Sequence, residues 1–124
     1  MTNIRMAAFY GCTNLLNATI GEGVVSIGNN AFQFCSGMTN AVIPDSVTSI
    51  GTRVFENCTR LESLTIGDGL TDLSNILFSD LSGLKSVVIG DGVLEIGMDS
   101  FRHCFNLTSV VIGNGVTNIG EGAF

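Results

Sequence analysis

Phenylalanine returns every 23 residues along this chain, at Phe9, Phe32, Phe55, Phe78, Phe101 and Phe124. Further apolar columns keep the same register. Ile20, Ile43, Ile66, Ile89 and Ile112 form one, Ile27, Ile50, Leu73, Ile96 and Ile119 a second, and Val24, Val47, Leu70, Val93 and Val116 a third. The unit reads LxxVxIGDGVxxIGxxAFxxCxx. A fixed period of this length with apolar columns is the pattern of a repeat solenoid, in which each coil touches only its neighbours and buries its face by stacking.

The register divides the chain into a partial unit 1–14, units 15–37, 38–60, 61–83 and 84–106, and a partial unit 107–124. Both ends fall in mid-unit, so the expectation is a single solenoid fragment spanning 1–124. Within each unit the first residues alternate, with Leu61, Leu64 and Ile66 apolar among Glu62, Ser63 and Thr65, which suits a short half-buried strand. Pro44 and its sister glycines 21, 67, 90 and 113 open a corner of turn composition. A second extended segment follows, as at Val47 to Ile50, and is closed by Gly28, Gly51, Gly97 or Gly120. Positive φ is expected in that column although Arg5 and Ser74 also occupy it. The remainder places an apolar residue, Phe and Cys at i, i+1 and i+4, which predicts one helical turn. The third unit departs most, with Ser74 for Gly, Leu77 for a small residue and Leu81 for Cys.

Composition removes several functions. Hydrophobic content of 45% against 13% charge is the opposite of a disordered chain. Net charge is −6, and the five cations Arg5, Arg53, Arg60, Lys85 and Arg102 are scattered. No basic stripe is available for phosphates, so nucleic acid is not an expected partner. No apolar run reaches the length of a membrane span, and MTNIRMAAFYGC lacks the basic start and apolar core of a signal peptide.

The unit, and especially AVIPDSVTSIGTRVFENC at 41–58 and SVVIGNGVTNIGEGAF at 109–124, resembles the BspA-like, or Treponema-type, leucine-rich repeats of bacterial and protist surface proteins. The resemblance implies a right-handed, curved solenoid with a parallel β-sheet on the concave side. It also implies residence at the cell surface or secretion, and adhesion to host matrix or to other microbes. The chain lacks the Asn column of ordinary leucine-rich repeats and carries Gly-acid-Gly more often than Pro-acid-Ser.

Each column of reactive residues has a plainer role beside the chemical one. Cys12, Cys35, Cys58 and Cys104 share a column, so neighbours lie close enough for a disulfide to be conceivable. Leu81 in the same slot favours buried, reduced thiols instead. One His and cysteines 23 apart do not make a zinc site, and His103 reads as a surface residue. Glu22, Asp45, Asp68, Asp91 and Asn114 suggest a calcium ladder, yet one acid per coil beside Gly is an ordinary turn and the ion wants six to eight oxygens. The Gly pairs match no phosphate loop. Asn17, Asn57 and Asn106 head glycosylation sequons, which carry meaning only in a secreted eukaryotic protein.

A repeated residue set offers no unique constellation for catalysis. The chain therefore reads as a non-enzymatic interaction module without metal or cofactor. The expected binding face, for a protein or glycan ligand, is the exposed strand positions Asn17, Thr19, Asn40, Val42, Ser63, Thr65, Ser86, Val88, Ser109 and Val111. A purely structural spacer is the alternative, and an ice- or crystal-binding face a remote one, because Val25 and Leu94 interrupt the Thr48, Thr71, Thr117 column. Uncapped end coils predict head-to-tail self-association.

Overall fold

The computed structural model describes residues 2–76 and 78–124. The described residues contain eleven strands and no helix: β1 (Asn3–Ile4), β2 (Asn17–Thr19), β3 (Ser26–Ile27), β4 (Asn40–Ile43), β5 (Ser49–Ile50), β6 (Ser63–Ile66), β7 (Asp72–Leu73), β8 (Ser86–Ile89), β9 (Glu95–Ile96), β10 (Ser109–Ile112) and β11 (Asn118–Ile119). Every pairing is parallel and joins residues one repeat apart, as Ser63 with Ser86 and Ile66 with Ile89. The result is a parallel β-solenoid of about five turns, built because a strand of only four residues finds its partner in the next copy of itself.

The first wall is one sheet in the order β2-β4-β6-β8-β10. Its strands alternate as the sequence does. Ala41, Ile43, Leu64, Ile66, Val87 and Ile89 are buried, while the residues between them face out. Full burial of each large side chain among these contributes roughly 1.5 to 3 kcal/mol. The phenylalanines stack as a second column, with ring centroids 5.0 Å apart for Phe9 and Phe32, 5.5 Å for Phe32 and Phe55, and 5.2 Å for both Phe78–Phe101 and Phe101–Phe124.

The helical turn expected in each unit is absent from the described residues, and the hydrogen bonds explain why. In the arc after the second wall, alternate amides reach across to the following coil: Asn30 N–H to Thr52 O (3.0 Å), Phe32 N–H to Val54 O (2.9 Å) and Phe34 N–H to Glu56 O (2.9 Å). The amides between them close turns within the coil, such as Gln33 to Asn30 O and Cys35 to Phe32 O. A helix would need all of these donors for itself. Left-handed residues recur instead in two columns, Ala7, Asn30, Arg53 and Asp99 in one, Phe34, Asn57, Asp80 and His103 in the other.

The glycines after the second wall also differ from expectation. Gly28, Gly51, Gly97 and Gly120 do not have positive φ. They are needed because a Cβ there would strike the preceding coil, 2.5 Å from Met6 N at Gly28, and closer still to Asn29 Oδ1 at Gly51, to Ser74 O at Gly97 and to Met98 N at Gly120.

That column explains a break. The second wall is two sheets, β1-β3-β5 and β7-β9-β11, with no pairing between β5 and β7. Ser74 is the column's occupant in the coil that begins at β6, and its Cβ cannot take the position its sister glycines leave empty. Gly51 N–H bonds to Ile27 O and Gly120 N–H to Ile96 O (both 2.8 Å), whereas among the described residues Ser74 does not make this bond to Ile50, nor Gly97 to Leu73. The Ser74 amide turns to its own coil and donates to Asp72 Oδ1 at 2.7 Å. Hydroxyl and amide together hold the Asp72 carboxyl below its ordinary range. Leu77, the other bulky substitution in this arc, lies outside the described residues.

Candidate interaction surface

The ten strand positions singled out in the sequence fall into two registered columns on the outer face of the first wall. Asn17, Asn40, Ser63, Ser86 and Ser109 align in one, and Thr19, Val42, Thr65, Val88 and Val111 in the other. Asn17, Thr19, Asn40, Val42, Val88, Ser109 and Val111 are exposed, whereas Ser63, Thr65 and Ser86 are half-buried. Short side chains on a pleat of about 4.8 Å spacing leave this face flat. Ser63 Oγ donates to Asn40 Oδ1 across the strands. None of the ten carries a charge, so the face offers amides, hydroxyls and methyl groups to a partner.

The other columns are internal fittings. Asp45 Oδ1 accepts the Asp68 amide (2.8 Å), Asp68 Oδ1 the Asp91 amide (2.7 Å) and Asp91 Oδ1 the Asn114 amide (2.8 Å), so each carboxylate serves the backbone of the next coil. Among the described residues no three His, Cys, Asp or Glu side chains gather as metal ligands. The thiols are unpaired. Cys35 donates to Phe9 O and Cys58 to Phe32 O, each at 3.1 Å, and Cys104 to Phe78 O at 3.4 Å. Desolvation pushes the Cys58 thiol up to about 12 and the Cys104 thiol up to about 11, and raises Cys35 as well. Cys12 is exposed and Cys104 half-buried, so Cys104 is less enclosed than the column suggested.

His103 is on the surface, as expected of a variable column, but it has company that sequence reasoning overlooked. Its Nδ1 lies 2.8 Å from Asp80 Oδ1, and its ring stacks on Phe105 with centroids 5.5 Å apart. Asp80 and His103 are one repeat apart in the same column, so their adjacency was available from the register.

A family model for the BspA type leucine rich repeat region matches residues 2–124, in six copies. The chain belongs to this family. Solved structures agree: a leucine-rich repeat protein from Bacteroides ovatus superposes with a TM-score of 0.86 at 35% identity, over 100% of this chain and 32% of that one. A leucine-rich repeat protein from Eubacterium ventriosum gives 0.82 at 26% identity, over 100% and 42%. A leucine rich cell surface protein from Faecalibacterium prausnitzii gives 0.53 at 26%, over 100% and 39%. The chain thus spans about a third to two fifths of the length of these relatives. No curated protein matches it. BspA-type repeats are in general interaction or surface-protein modules, and among the described residues no helix is long and apolar enough to cross a membrane.

Proposed function

We propose that the chain is a non-enzymatic binding module of a surface protein, engaging a protein or glycan partner through the outer face of the first wall and serving adhesion. The observation that supports this reading is the pair of registered, uncharged columns running unbroken over five strands. Extended solenoid faces of this kind bind by summing small contacts over several coils. The cell-surface placing leans on the family and on the Faecalibacterium relative.

The test is a panel of purified matrix proteins and an immobilised glycan array, probed with the wild type, with Thr65→Lys plus Val88→Lys, and with Thr59→Lys on the arc. Binding abolished by the strand-face pair and kept by Thr59→Lys supports the reading. Binding indifferent to the strand-face pair, or none at all, overturns it and leaves a structural spacer. Head-to-tail association through the last coil is a second proposed contact, because Ile112, Ile119 and Phe124 are 41%, 47% and 50% exposed there although their sister residues in the inner coils are largely covered. Light scattering across a concentration series, with and without Ile112→Lys, tests it. A mass that stays monomeric throughout rejects it.

A further inference from the structure

The break between β5 and β7 leaves more than a missing ladder. On the arc beside it lies a cavity of about 410 Å³ lined by Asn30, Thr52, Arg53 and Asn75. Every lining side chain is polar. Two intercoil bonds of that arc are also missing among the described residues. Elsewhere the left-handed residues donate to the following coil, as Asn30 N–H to Thr52 O, Phe34 N–H to Glu56 O and Asp99 N–H to Glu121 O. Among the described residues Arg53 N–H and Asn57 N–H make no such bond. Both are left-handed, with φ of 56° and 61°, and backbone N–H groups flanking such residues form concavities that suit anions.

Arg53 adds a formal charge to these dipoles. Lys85 pairs with Glu62 at 3.1 Å and Arg102 approaches Asp99 at 3.9 Å, but Arg53 pairs with no carboxylate among the described residues. Glu56, the nearest acid in sequence, and Asp72, beside Ser74 on the next coil, are otherwise engaged. Glu56 accepts from Gln33 Nε2, and Asp72 accepts from Ser74. A guanidinium with the free Arg53 amide beside it matches the oxygens of a carboxylate. Two carboxamides and a hydroxyl around it match hydroxyl groups.

We propose that this crease is a binding site for a hydroxylated carboxylic acid, the chemistry of a uronic acid residue in an acidic glycan. It lies on the arc after the second wall and does not rest on the strand-face reading. Ser74 creates the site by holding the coil off its neighbour, and Arg53 fills the role of anchor.

The experiment uses the ¹⁵N-labelled chain titrated with D-glucuronate, D-glucose and acetate. Glucuronate is expected to shift the Arg53 amide signal and the Asn30 and Asn75 side-chain signals, saturably, while glucose and acetate act at least about tenfold more weakly. Arg53→Asn removes the charge yet keeps a residue tolerated at positive φ, as Asn30 is in the same column. It should weaken glucuronate at least about tenfold. Ser74→Gly restores the repeat consensus, closes the crease and should abolish the shifts. Equal binding of glucose or acetate, shifts that survive either variant, or no saturable shift with glucuronate would each overturn the proposal.

Discussion

The two walls of this solenoid are built from the same repeat, and one of them is continuous where the other is cut. Between the coils carrying β4 and β6 the first wall pairs every residue without interruption, from Asn40–Ser63 to Ile43–Ile66. On the second wall the same two coils share no pair, although the coils on either side are joined through β3–β5 and β7–β9. The difference is one of clearance. Strand side chains in a parallel sheet point away from the neighbouring backbone, so Ala41 stacked on Leu64 costs nothing in register. The residue closing the second wall points its Cβ at the preceding coil, and only glycine fits. A stack tolerates variation on faces and not at close approaches.

The Phe column tests how strongly the uncut parts are held. Phe101 is buried and stacked on both sides, by Phe78 and by Phe124, each at 5.2 Å, whereas Phe124 is half exposed. Phe101→Ala is expected to cost about 3 to 5 kcal/mol in denaturant melts, and Phe124→Ala well under half of that. Equal losses would mean that the coils do not support one another as a stack.

The next largest effect comes from moving the cut. Gly97 sits where a Cβ would strike Ser74 O, so Gly97→Ser should reproduce between β7 and β9 what Ser74 does between β5 and β7. Overpacking of this kind costs about 1 to 3 kcal/mol. Amide exchange gives the sharper readout. Leu94 N–H, which donates to Thr71 O at 2.8 Å, should lose its protection while Val87 to Ile89 keep theirs. Protection retained throughout would refute the clearance argument.

The reverse change should mend the wall. Ser74→Gly gives back amide bonds to the coil before it, each worth about 0.5 to 1.5 kcal/mol net, against about 0.5 to 1 kcal/mol of added chain entropy. A net gain of about 1 kcal/mol is expected, with new exchange protection at Thr71 and at the substituted residue itself. Destabilisation without new protection would show that something other than the Ser74 side chain separates the coils.

Much of this architecture was legible in the residues, and the illegible part has a physical reason. The columns of Ile, Val and Phe required stacking, and the alternation at residues such as Leu64, Thr65 and Ile66 required a strand with one inward face. The ten strand-face positions followed from the same alternation. The arc was misread because an apolar residue, Phe and Cys at i, i+1 and i+4 fit a pair of stacked turns as well as a helical turn. Its left-handed positions hold Ala7, Arg53, Phe34 and His103, residues that do not announce positive φ. That conformation costs about 1 to 2 kcal/mol per residue, and at Ala7 and Phe34 it is offset by bonds to the following coil, a gain invisible within one unit. Ser74 was visible as an exception, but its consequence depended on knowing that the glycine column touches backbone. The crease, and with it Arg53, therefore appears only once two coils are set side by side.

The cysteine column carries the smallest effect and follows the same boundary. Cys35 and Cys58 bond to the phenylalanine carbonyl of the coil before, as Cys104 does beyond the break, while Leu81 provides no such donor to the coil of Phe55. Burial without a compensating charge favours the neutral thiol, which is why Cys58 is pushed up to about 12. In the unfolded chain a thiol ionises near about 8.5. The folded state then holds its proton more tightly, so the stability tied to this group is fully present below about pH 8.5 and falls as pH rises from there through about 12. At about pH 9 the loss from Cys58 is about 0.8 kcal/mol relative to about pH 7. Unfolding free energies measured at both values should therefore differ more for the wild type than for Cys58→Ala. Thiol labelling of the folded chain gives an independent order, with Cys12 fastest, Cys104 intermediate, and Cys35 and Cys58 slowest. If Cys58 reacts as fast as Cys12, the coils on the N-terminal side of the break open as readily as the break itself, and the contrast between a continuous and an interrupted wall loses its energetic meaning.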